Sequence, residues 1–120
     1  MNRLLAFALL IAAPVQAQGA AAPVDQIIIE KARRTLTLMA QRKPIRRYTQ
    51  IRLGDAPVGH KQFEGDEKTP EGEYRISGRN PGSSYYRSLR ISYPNARDRA
   101  YAARFKRAPG GDIFIHGQPN

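Results

Sequence analysis

The chain has 120 residues, room for one domain, and no cysteine, which excludes disulfides, thiolate metal sites, thiol nucleophiles and lipidated cysteines within it. Its 20 Lys and Arg against 10 Asp and Glu give a formal net charge of +10, a balance that attracts polyanions. A nucleic-acid role is not expected, because the sequence has no glycine-rich phosphate loop, no recognition-helix pattern and no aromatic ladder.

In chain order, Met1-Asn2-Arg3 is a positive n-region and Leu4 to Ala13 a short apolar run, with small residues before Ala17 where a signal peptidase cuts. The run is too short for a comfortable membrane span. Residues 1–17 therefore read as a secretory signal peptide, the alternative being an uncleaved anchor or an N-terminal helix. Residues 18–23 read as a linker and 24–120 as the domain. Such a chain is expected in the periplasm or cell envelope, touching membrane only through the signal segment before cleavage. Anionic lipid headgroups or cell-wall polymer are then the neighbours that match its charge, unless the charge serves solubility alone. A domain of about 100 residues buries only about 60–65% of its unfolded surface, so stability rests on one modest core.

Three short strands are predicted first: Ile27 to Ile29, the alternation of Leu36 and Leu38 with Thr35 and Thr37, and Tyr48 to Leu53. The stretches KARR and QRKP are the expected hairpin turns. From Gly54 to Gly72 the sequence is rich in Gly, Pro and charge, which reads as one long loop, and loops of that length are uncommon unless functional or disordered. A strand with Tyr74 and Ile76 follows, then the turn chemistry of GRNPGSS, then a strand carrying Leu89, Ile91 and Tyr93. Asn95 is placed to cap a helix with Asp98 in its first turn, running through ARDRAYAARF until APGG stops it. DIFIHG is the last predicted strand. The fold class is mainly β, mostly antiparallel, with one crossing helix.

There are two histidines. His116 falls at a strand-to-loop boundary beside Gly117, a position where a rigid scaffold fixes a side chain and the loop leaves room for substrate. A structural role is the competing reading on spacing alone. No serine lies in a G-x-S-x-G elbow. His60 lies in the long loop among Glu64, Asp66, Glu67 and Glu71, with no metal-ligand spacing, so no metal is expected. Those acids read as a solvated turn that offsets neighbouring lysines. Thr69-Pro70-Glu71-Gly72 is a compact turn: Pro70 fixes the backbone, and Gly72 permits a conformation other residues resist.

Together and in this order, PVGHKQFEGDEKTPEGEYRI, RNPGSSYYRSLRISYPNARDRA and PGGDIFIHGQPN resemble the L,D-transpeptidase catalytic domain family (YkuD type) over about Val24 to Asn120. The resemblance implies a β-sandwich with an open cleft, cysteine acyl transfer on peptidoglycan stem tetrapeptides, and no cofactor. It makes His116 the general base and Gly117 the residue whose backbone carbonyl orients that ring. His60, Thr69, Pro70 and Gly72 are candidates for lining the substrate cleft. The family's nucleophile follows in a Ser/Thr-x-Gly-Cys segment, which this chain lacks. The resulting expectation is the N-terminal part of a longer product, or a truncated frame, inactive alone and with its sandwich incomplete at the C-terminus. A non-catalytic cell-wall-binding module and a stem-peptide hydrolase of the same family are the alternatives. Nothing in the pattern sets the acceptor or the oligomeric state.

Overall fold

The computed structural model describes residues 23–83 and 87–117. The expected signal peptide, residues 1–17, and all but the last residue of the expected linker lie outside the described residues, as do Ser84 to Tyr86 and the last three positions. The chain divides into two compact units, Met1–Ile51 and Arg52–Asn120.

The first unit is a three-stranded antiparallel sheet of β1 (Gln26–Glu30), β2 (Thr35–Ala40) and β3 (Lys43–Tyr48), in that order. Ile27 and Ile29 pair with Leu38 and Leu36, which pair in turn with Arg46 and Tyr48, so these six residues share one face. The opposite face carries Thr37, only 4% exposed, between Ile28 and Arg47. The third strand starts five residues before the expected Tyr48 and ends at that residue. Two features moved it. Gln41 and Arg42 form a two-residue turn with φ of 51° and 65°, an arrangement usually marked by Asn-Gly, and a register shift between Leu38 and Met39 leaves Ile45 as the extra residue of a bulge.

The second unit has a second antiparallel sheet, β4 (Ile76–Asn80), β5 (Ser88–Ile91) and β6 (Phe114–His116), with β5 in the middle. Here too a prediction is displaced. Tyr74 precedes the strand instead of opening it, and GRNPGSS contributes its first three residues to β4 before the turn at Pro81.

Between β5 and β6 runs α1 (Ala96–Arg104). Asn95 caps it as expected: its side chain accepts from the Asp98 N–H at 2.9 Å while Asp98 accepts from the Asn95 N–H at 3.0 Å, a reciprocal capping box. The helix ends before APGG. Lys106 takes φ 54°, and the N–H groups of Lys106 and Arg107 return to the carbonyls of Ala103 and Ala102, a Schellman closure made without glycine. The apolar core is thin. Ala40, Tyr93 and Ala102 are its buried hydrophobic members among the described residues, against Thr37, Lys61, Ser88 and Asp98 as buried polar ones. Polar bonding must therefore hold much of the second unit together.

Candidate functional site

His116 closes β6, opposite the buried Ser88 of β5, and its side chain is exposed. Its Nδ1 lies 2.8 Å from the carbonyl oxygen of Gly117. A carbonyl can only accept, so Nδ1 carries a proton and donates it; in the neutral tautomer that fits this bond, the lone pair is on Nε2. The strand is steered in by a surface pair, Arg90 to Asp112 at 2.9 Å, of little energetic weight because both side chains are at least half exposed. Just before it, Gly110 has φ 83° and comes so close to the long loop that an added Cβ would meet Glu64 Cα at 3.1 Å.

That loop, residues 54 to 72, has no helix or strand but is firmly tied. Asp66 is its centre, and the expected solvated acidic turn is wrong for this residue. Its carboxylate accepts from the N–H groups of Gln62, Phe63 and Lys68 and from the buried Lys61 ammonium at 3.0 Å. Burial acts to raise the Asp66 pKa, but these four donors outweigh it and hold the carboxyl far below the usual range. Glu64 N–H donates to the Ala108 carbonyl, and Tyr93 OH to Pro109, fastening the strand leading to His116.

His60 is held from both sides. Its Nδ1 accepts from the Glu71 N–H at 2.8 Å, so the ring proton sits on Nε2 and is donated to Asp98 Oδ1 at 3.0 Å. Asp98 also receives the Tyr74 hydroxyl at 2.7 Å. Burial tends to raise the Asp98 pKa; bonds from the Asn95 N–H, Tyr74 and His60 reverse this and lower it. Burial beside the Asp98 charge pushes the Tyr93 phenol up to about 12 and the Tyr74 phenol higher still.

The Thr69–Gly72 turn is thus joined to the helix cap through His60. Thr69 Oγ1 accepts from the Gly54 N–H at 2.9 Å, Pro70 is half-buried, and Gly72 adopts φ 108°. A small cleft of roughly 130 Å³ is lined by His60, Lys61, Gln62, Arg97, Asp98 and Tyr101. Of the two histidines, His60 belongs to this lining. Among the described residues no three His, Cys, Asp or Glu side chains are grouped to hold a metal ion, and no helix is long and apolar enough to cross a membrane. Sequence reasoning missed the convergence on Asp98, whose partners His60 and Tyr74 lie 38 and 24 positions away. The capping signal at Asn95 gave its only trace.

The family model described as the L,D-transpeptidase catalytic domain (YkuD) matches residues 25–120. The chain belongs to this family. The relative named "Putative L,D-transpeptidase YafK" in Escherichia coli K12 is 40% identical over 62 residues, which are 50% of this chain and 23% of the relative. The protein of the same name in Escherichia coli O157:H7 matches with the same figures. The match therefore spans about a quarter of those relatives' length. No solved structure matches. The matched span includes both histidines, and none of the 120 residues is a cysteine.

Proposed function

We propose that His116 is the general base of an L,D-transpeptidase acyl-transfer centre acting on peptidoglycan stem tetrapeptides in the cell envelope, with Gly117 orienting its ring. The observation that carries this is the exposed imidazole at the tip of β6 with its Nδ1 on the Gly117 carbonyl, a bond that leaves Nε2 as the basic nitrogen of the neutral ring. Nε2 takes the proton of a cysteine thiol, which is mostly protonated near neutral pH when unassisted. The thiolate attacks the peptide carbonyl before the terminal D-alanine. The C–N bond breaks as Nε2 returns the proton to the leaving amine, and a thioester forms. An acceptor amine then displaces the sulfur and leaves a crosslink; water as acceptor makes the same centre a hydrolase.

These 120 residues contain no thiol, so the chain alone is catalytically silent. Mass spectrometry of stem peptides incubated with it should find no crosslinked or trimmed product. Turnover by this chain would overthrow the mechanism. A chain extended by a Ser/Thr-x-Gly-Cys segment should turn over, and His116→Ala in that chain should lower kcat by at least about 100-fold.

A further inference from the structure

We propose that the β3 edge of the first sheet is a peripheral docking surface for an anionic phospholipid bilayer. This assignment is independent of the acyl-transfer reading. All six residues of β3 are exposed, on both faces of the strand. Between Arg42 and Tyr48 the chain places four cations and no acid. Among the described residues no carboxylate lies within ion-pair distance of Arg42, Lys43, Arg46 or Arg47.

The same edge is also apolar. Ile45 is 51% exposed and Tyr48 43%, and Tyr48 continues the half-open row of Ile29 (39% exposed) and Leu36. The Arg46 guanidinium stacks 5.0 Å above the Tyr48 ring, so a cation and an aromatic are presented as one unit. Basic groups beside a ring and an aliphatic side chain suit a headgroup layer, where the charges meet lipid phosphates and the apolar atoms enter the acyl boundary.

Other occupants fit less well. A second copy pairing through β3 would set Arg46 and Arg47 against their own kind, and Pro44 and the Ile45 bulge interrupt the ladder such pairing needs. A hydrated anionic polymer would use the cations and leave Ile45 and Tyr48 without a role.

The test is cosedimentation of the full chain with vesicles of mixed phosphatidylglycerol and phosphatidylcholine, against phosphatidylcholine alone. The readout is the preference for the anionic vesicles, and the apolar N-terminal run is common to every variant. Lys43→Ala/Arg46→Ala/Arg47→Ala should lower anionic partitioning by about a factor of five per cation, roughly 100-fold in all. Ile45→Ser/Tyr48→Ser should lower it at least about fivefold. The charge-matched Arg75→Ala/Arg79→Ala/Lys106→Ala, placed in the second unit, should leave most of it. Circular dichroism checks folding, and Lys43→Glu alone replaces the triple variant should that fail to fold. Three results overturn the proposal: equal loss in the charge-matched variant, no loss in Ile45→Ser/Tyr48→Ser with full competition by soluble polyphosphate, or concentration-dependent self-association that the β3 variants abolish.

Discussion

His60 and His116 sit in one unit and have been given opposite circumstances. His60 is gripped at both nitrogens, by the Glu71 amide and the Asp98 carboxylate, and its ring proton is on Nε2. His116 is exposed and is bonded at Nδ1 to its neighbour's carbonyl. The difference teaches that an imidazole's use follows from what occupies each nitrogen. One ring is a bracket between a loop and a helix cap; the other stands exposed at a strand end.

The comparison breaks most visibly at Asp98. Asp98→Ala removes the capping-box acceptor together with the partners of His60 and Tyr74, and should cost about 3 kcal/mol in urea unfolding. His60→Ala should cost about 1–2 kcal/mol, and His116→Ala less than about 0.5 kcal/mol, since its side chain is exposed. Equal losses for the two histidines would erase the distinction. Acid sharpens it. Asp66 and Asp98 have pKa values below their ordinary 3.8, so the stability they lend is complete above that value. It falls away as the pH drops below 3.8 toward the folded-state values, and the thermal midpoint should fall there in wild type and less so in Asp98→Asn. The smallest effect is spectroscopic: ¹⁵N shifts should report Nε2–H for His60 and Nδ1–H for His116.

Where a signal was local, the sequence carried it. Asn95 and Asp98 are three residues apart, and the helix begins where they said it would. The alternation of Leu36 and Leu38 with Thr35 and Thr37 marked a strand, and these residues lie in β2. What was illegible was either non-local or made from unusual residues. Gln41 and Arg42 turn the chain with positive φ and no glycine, and Lys106 does the same at the helix end. The bulge at Ile45 resets the period that would have marked β3. The four donors around Asp66 are mostly backbone amides, which every residue but proline possesses, so no pattern of side chains announces them. His116 was legible as a strand-end histidine and His60 as a loop histidine. That one ring faces solvent while the other is clamped depends on contacts spanning much of the second unit.

The brevity of β6 has its own consequence. Among the described residues it pairs with β5 at three positions, with one further bond from the Ile91 amide to the Ile113 carbonyl just before it. Such a ladder opens far more often than a long one. Amide exchange should therefore be quicker at Ile115 than at Leu89 on the neighbouring central strand, and the imidazole's aim is a time average over those openings. A bound peptide that adds even one more rung beside β6 would steady it, so aim and occupancy would rise together.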